Sequence, residues 1–260
     1  MPSQNRRVIA LNADLGESFG AYRMGSDEAL MEIIQSANIA CGFHAGDPDV
    51  MRKTVRLAVA HGVSIGAHPS FPDLQGFGRR PMRLSAQEVE NLVAYQIGAL
   101  MGVAACEGAR VTHVKPHGAL SNLSAEDLVL ATAIALAVRG VDPNLILLAP
   151  CLSALSKAGE DAGLKVALEA FADRTYSPSG ALAPRSQPGA VLHSPHEVCD
   201  HVEKMIHQGG LATADGQILP TPIHSICVHG DGETAVEIAR AVKRLLGKKN
   251  FSLAPLSCTL

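Results

Sequence analysis

The chain has 260 residues, of which 47% are hydrophobic, with six phenylalanines, three tyrosines, no tryptophan and a formal net charge of -3. With no composition shift and no flexible linker, residues 1–260 are expected to form a single domain whose Ala-, Val-, Ile- and Leu-rich core suits buried parallel strands. A near-neutral balance without a basic block argues against a nucleic-acid or membrane-surface partner.

The opening segment, MPSQNRR, leads into a strand-like run without the apolar stretch of a signal peptide. The most apolar helical stretch, Leu128 to Val138, is too short for a bilayer, so a cytoplasmic location is expected. Cys41, Cys106, Cys151, Cys199, Cys227 and Cys258 are scattered, form no Cys-x-x-Cys pair and read as reduced thiols.

The first strand candidate, VIALNADLGES from Val8, ends in Asp14 and Glu17, and Asn12 shares a strand face with Asp14. A carboxylate there suits a general base, a metal ligand or the cap of the following helix, Asp27 to Gln35. The second, ANIACGFHAGD from Ala37, delivers His44 and Asp47. A neighbouring carboxylate fixes an imidazole tautomer, although Asp47 before Pro48 equally suits the N-cap of a helix from Pro48 to His61. The third, SIGAHP from Ser64, presents His68, which Pro69 holds extended.

A long loop from Ser70 to Arg83 carries Arg79 and Arg80 and is followed by a helix from Ser85 to Glu107, opened by a Ser85/Glu88 capping box. The fourth strand candidate, VTHVKPHG from Val111, places His113, Lys115 and His117 on one face if the chain stays extended through Pro116. Lys115 suits a carboxylate or a phosphate, and His113 reads as core. The His-x-x-x-His spacing is that of a helical zinc pair, but on a strand it lends zinc little support. A helix from Ser124 to Arg139, capped by Ser124 with Asp127, precedes the fifth candidate, LILLAP from Leu145, which offers no reactive side chain.

After a helix from Cys151 to Ala162, the sixth candidate, KVALEAFADR from Lys165, brings Glu169, Asp173 and Arg174 to the start of a second long loop, Ala172 to Ala190, which also holds Arg185. A helix from Pro195 to Gln208 follows, and Asp215-Gly216 marks a hairpin turn leading through Ile218 and Leu219. The seventh, SICVHGD from Ser225, supplies His229 and Asp231, a pair able to position water or a proton. Asp231 alternatively caps the last helix, Gly232 to Leu246.

This alternation requires parallel strands joined by helical crossovers, as a seven-stranded barrel or strongly curved sheet, with an open doubly wound sheet as the alternative. Ligands of such folds bind at the carboxyl ends of the strands, so reactive residues recurring there are expected to share one site. Phe19, Tyr22, Phe43, Phe71, Phe77, Phe171 and Tyr176 also lie at or after strand ends and are expected on that face. His61, His193, His196, His201, His207 and His224 read as solvated. Neither a phosphate-cradling G-x-x-x-x-G-K-[ST] loop nor a G-x-S-x-G elbow occurs.

In this order, LNADLGES, NIACGFHAGDP, GAHPSFPDLQGFGRR, HVKPHGAL, EAFADRTY and SICVHGD closely resemble the LamB/YcsF family, from about Leu11 to Asp231. The resemblance implies an irregular seven-stranded (β/α) barrel of the glycoside hydrolase/deacetylase type. It also implies the work of the A component of a 5-oxoprolinase, which opens 5-oxo-L-proline to L-glutamate with ATP hydrolysis in company with subunits B and C. ATP is then a cofactor held by this chain or by its partners. Within that activity Asp14, His44, His68, Lys115, His117 and His229 are the candidate catalytic residues, and Asn12, Glu17, Asp47, Arg79, Arg174 and Asp231 the candidate substrate-binding ones. The need for a divalent metal stays open. Two further readings are a metal-dependent amidohydrolase or deacetylase, and a lactam-binding subunit without chemistry of its own.

Overall fold

The computed structural model describes residues 7–229, 232 and 234–260, so Asp231 lies outside the described residues. Strands β1 (Arg7–Leu15), β2 (Ser36–Ala40), β3 (Ser64–His68), β4 (Val111–Val114), β5 (Ile146–Pro150) and β6 (Lys165–Phe171) pair in chain order, all parallel. β9 (Ser225–Cys227) closes the ring by pairing in parallel with both β6 and β1. The sheet is therefore a seven-stranded barrel and not an open doubly wound sheet. Between β6 and β9 the chain forms the antiparallel hairpin β7 (Gly210–Ala212) and β8 (Ile218–Pro220), with the expected Asp215-Gly216 turn. β10 (Phe251–Leu253) extends the amino end of β1 outside the ring.

Helices α1 (Asp27–Met31), α2 (Pro48–His61), α3 (Ala86–Cys106), α4 (Gly118–Ser124), α5 (Leu128–Val141), α6 (Ala154–Asp161), α7 (Pro195–Gln208) and α8 (Ala235–Lys248) surround the barrel. Several boundaries differ from the sequence expectation, α8 among them, and three do so for evident local reasons. α1 stops before Gln35 because the Gln35 N–H donates to Leu11 O and leads the chain into β2. The stretch from Ser124 is two helices, since Ser124 closes α4 while Asp127 caps α5 by accepting from the Val129 and Leu130 N–H groups. α6 begins after Ser153, whose hydroxyl accepts from Ser156 N–H. α3, and not only the shorter apolar stretch Leu128 to Val138, bears on the membrane question, because it is long and apolar enough to cross a bilayer. It lies along the barrel instead, burying Val89, Val93, Ile97, Leu100 and Ala104.

Alternation along the strands sorts the barrel interior into layers. At the amino end Ala10, Ile146, Leu148 and Ala167 pack with Leu256 of a short 3-10 turn (Leu256–Cys258), forming an apolar floor. Above it lies a buried polar layer of Asn12, Asn38, His113, Glu169 and Ser225. Gly66 makes room for this layer, because a Cβ there would fall 2.1 Å from His113 Nε2. The reactive residues occupy the carboxyl end.

Candidate active site

The site rests on the buried polar layer. Asn12 donates to Glu169 Oε1 (2.9 Å) and Ser225 Oγ (2.8 Å), and Asn38 donates to Asn12 Oδ1 (2.8 Å) and Asp14 Oδ1 (2.9 Å). His113 donates from Nε2 to Asn38 Oδ1 (3.0 Å). Burial, followed by the Lys115 charge, pushes its pKa down to about 3 and keeps the ring neutral. Asn12 thus supports the site from below, and His113 is core.

Lys115 stands above this layer. Its backbone N–H donates to Ala67 O and that of His117 to Pro69 O, so the chain stays paired with its neighbour past Pro116, and His113, Lys115 and His117 share a face. Lys115 Nζ lies 3.0 Å from Asp14 Oδ1, 3.0 Å from Glu169 Oε1 and 3.1 Å from Cys227 Sγ. Burial opposes its charge, but Asp14, Cys227 and Glu169 together hold its pKa well above the ordinary lysine value. Asp14 answers in kind: burial opposes its ionisation, yet His68 and Lys115 hold it well below the usual carboxylate range. Glu169 shifts the other way, since its burial outweighs Lys115.

Three imidazoles and Glu17 fill the adjoining corner. His68 donates from Nδ1 to Lys115 O (2.6 Å), and His117 donates from Nε2 to Phe77 O (2.9 Å). Their other nitrogens face each other at 3.0 Å. His44 stacks on His117 with centroids 3.8 Å apart and approaches Glu17 Oε1 at 3.2 Å. Burial, then the neighbouring imidazoles, lowers both His44 and His117 well below the ordinary histidine value. Donor atoms of Glu17, His44, His68 and His117 all lie within 4.8 Å of one another, a set able to hold a metal ion; Asp14, Cys227 and His229 form a second such group. Phe77 takes φ 54° to direct its carbonyl, and Gly78 beside it is obligatory because a Cβ would meet Ser70 Oγ at 2.2 Å.

Across the mouth, His229 Nδ1 donates to both Asp173 oxygens at 2.8 Å. Burial opposes the imidazolium, but the Asp173 charge outweighs it and raises the His229 pKa, while Asp173 itself is lowered by His229 against its own burial. A cavity of about 770 Å³ opens here, lined by Asp14, Glu17, Lys115, His117 and His229, by Phe77, Phe171 and Tyr176, and by Arg79, Arg174 and Arg185 from the two long loops. Arg174 is fixed by donating to Ala183 O and Ala190 O.

Asp14, Glu17, Lys115, His117, His229, Arg79 and Arg174 thus meet at one cavity, with His44 and His68 buried against it. Asp47 sits apart, its carboxylate accepting from the N–H groups of Gly20, Asp49 and Val50 as the cap of α2. Arg80 is held by Asp73 within its own loop. The aromatics divide: Phe77, Phe171 and Tyr176 line the cavity, whereas Phe71 is core and Tyr22 is exposed. His201 and His224 are only partly exposed, for His201 stacks on Tyr176 and His224 accepts from Leu168 N–H. Asn38 and Cys227 were not singled out from sequence. Both are non-aliphatic residues at inward positions of otherwise apolar strands, which was the available signal.

A closed seven-stranded parallel barrel with acids, imidazoles and a lysine gathered at its carboxyl end is a deacetylase-like (β/α) barrel. The catalytic domain of a peptidoglycan N-acetylglucosamine deacetylase from Eubacterium rectale shares that fold, with a TM-score of 0.53 at 10% identity over 99% of this chain and 91% of that one. The chain belongs to the LamB/YcsF family, whose model matches residues 9–260. It is 57% identical to the A component of 5-oxoprolinase from Azoarcus sp. strain BH72 over 248 residues, covering 95% of this chain and 97% of the relative. The crystal structure of the lactam utilization protein from Thermus thermophilus is similar at a TM-score of 0.89 and 44% identity, over 95% of this chain and 99% of that one.

Proposed function

We propose that the chain is the A component of an ATP-dependent 5-oxoprolinase, which opens 5-oxo-L-proline to L-glutamate together with subunits B and C. The observation that carries this reading is the meeting, in one cavity, of the Asp14 carboxylate, 3.0 Å from Lys115 Nζ, and the His229 imidazole, 2.8 Å from both Asp173 oxygens, in a chain that belongs to the LamB/YcsF family. A lactam carbonyl is a poor electrophile, so its opening needs activation, a base for water and an acid for the departing nitrogen. In our reading the lactam oxygen accepts the γ-phosphoryl group of ATP, with release of ADP. Water, deprotonated by Asp14, adds to the activated carbon, the C–N bond breaks, and His229 delivers a proton to the nitrogen as it leaves. A second water then releases phosphate and glutamate. Lys115 steadies Asp14, and Arg79 and Arg174 take the substrate carboxylate or the phosphoryl group as bidentate donors.

The sequence holds no phosphate-cradling loop, and we assign the nucleotide to the partner subunits. The six cysteines are all free, which suits work in the reducing cytoplasm. The test combines the purified chain with subunits B and C, 5-oxo-L-proline and ATP, and follows glutamate and phosphate separately. Asp14→Asn and His229→Gln should each abolish glutamate formation while circular dichroism stays unchanged. Near-normal glutamate release from both variants overturns the assignment.

A further inference from the structure

The hydrogen bonds around two of the imidazoles create an electrostatic conflict. A carbonyl oxygen only accepts, so His68 Nδ1, 2.6 Å from Lys115 O, and His117 Nε2, 2.9 Å from Phe77 O, must both carry hydrogen. Unless a proton or a cation lies between them, His68 Nε2 and His117 Nδ1 then point lone pairs at each other across 3.0 Å. The neighbours make this worse, because Asp14 Oδ2 lies 3.3 Å from His68 Nε2 and Glu17 Oε1 lies 3.6 Å from His117 Nδ1, and carboxylates add acceptors rather than donors. His44 brings Nε2 to 3.2 Å from the same Glu17 oxygen, while its Nδ1 is buried with no hydrogen-bond partner among the described residues. The side chains of His44 and His68 are at most 1% exposed, so bulk water does not relieve the repulsion.

We propose that Glu17, His44, His68 and His117 bind a divalent transition-metal ion of the zinc type. Zinc–imidazole bonds of about 2.0–2.1 Å place two nitrogens on one ion about 3.0–3.4 Å apart. The spacing of His68 and His117, 3.0 Å, already falls in that range. Three imidazoles with one carboxylate favour zinc over magnesium or calcium, which prefer oxygen-rich sites. The hydrogen bonds from His68 to Lys115 O and from His117 to Phe77 O are the outer contacts that fix a metal-binding imidazole in one tautomer. One of them depends on Phe77, whose φ of 54° is a conformation non-glycine residues hold only when the surroundings enforce it. Glu17 and His117 also line the cavity, so the ion would border the place proposed for the lactam, where it would act as a Lewis acid. The ion site stands without that functional reading.

The test measures binding rather than turnover. The full chain is purified without a metal-affinity tag and its metal content is determined by mass spectrometry. Chelator-stripped chain is then titrated with Zn²⁺ by calorimetry and with Co²⁺ by visible absorption. One ion per chain is expected, with a cobalt spectrum typical of nitrogen ligation, and an affinity loss of at least about 100-fold in His68→Gln/His117→Gln, since even outer contacts are worth about 10–100-fold. Glu17→Gln gives a second, milder variant should the double one fail to fold. Stoichiometric binding lost in these variants supports the proposal. It is overturned by the absence of Zn²⁺ or Co²⁺ binding in folded wild-type chain, by equal affinity in the folded variants, or by histidine nitrogen NMR showing a proton held between His68 and His117 at saturating Zn²⁺. A chain that binds the ion but forms no glutamate with subunits B and C refutes the proposed function alone. One that forms glutamate at the full rate after stripping, with no ion bound on titration, refutes the ion alone.

Discussion

Replacing Lys115 with methionine removes the cation that serves both Asp14 and Glu169, each 3.0 Å away, from a position where its side chain is 4% exposed. Removing one member of a buried pair costs about 3–5 kcal/mol, because the partner is left charged and unsolvated. Methionine keeps most of the volume, so cavity formation adds little. The expected loss at neutral pH is therefore about 3–5 kcal/mol, a large part of a total stability of about 5–15 kcal/mol. The pH dependence carries a definite sign. Asp14 has a lowered pKa in the native protein, so its ionised form contributes stability above its unfolded pKa, and that contribution fades as pH falls through the folded value. Without Lys115 the opposing effect of burial gains weight, the Asp14 pKa rises, and the deficit of the variant must shrink as acid protonates both carboxyl groups. Urea unfolding of both proteins at about pH 7 and about pH 5 measures this. Asp14→Asn/Lys115→Met should recover at least half of the neutral-pH loss, because the stranded charge has gone. A loss below about 1 kcal/mol at neutral pH, the level of a surface ion pair, refutes the account of Lys115 as a desolvated counter-ion.

Asp173→Asn should move the alkaline limb of the pH profile of glutamate formation to lower pH, because the Asp173 charge is what raises the His229 pKa; an unmoved limb shows that His229 is not the acid. Gly66→Ala should lower the unfolding midpoint, with a cost of about 1–3 kcal/mol or more from overpacking, because the added Cβ would sit 2.1 Å from His113 Nε2. A thermal melt equal to wild type would contradict the close packing of that layer. The chain alone, given ATP and 5-oxo-L-proline, should release no phosphate in a colorimetric assay, and steady release would place the nucleotide on this chain.

The barrel was legible because seven apolar runs each precede a helical pattern, and six of them end in polar groups. Caps such as Asp47 and the Ser85/Glu88 box fixed helix starts to within a residue. Residue type at a strand end could not reveal which polar group faces which neighbour. Asp47 and Asp14 look alike in sequence, yet one accepts three backbone N–H groups outside the barrel and the other meets Lys115 inside it. Asn38 was hidden because its importance comes from pairing across β1, a register that local pattern does not encode. The His229–Asp173 pair joins residues just past the ends of two different strands, β9 and β6, whereas the acid two places from His229 in the sequence is Asp231.

The apolar floor has a consequence for how the molecule comes into being. Leu256 seals a ring whose first strand contains Ala10, so everything from residue 10 to residue 256 must emerge from the ribosome before water is shut out beneath Asn12 and Glu169. Contacts so remote in sequence slow folding, and until the stopper arrives a nascent barrel exposes its inner wall to chaperones and proteases alike.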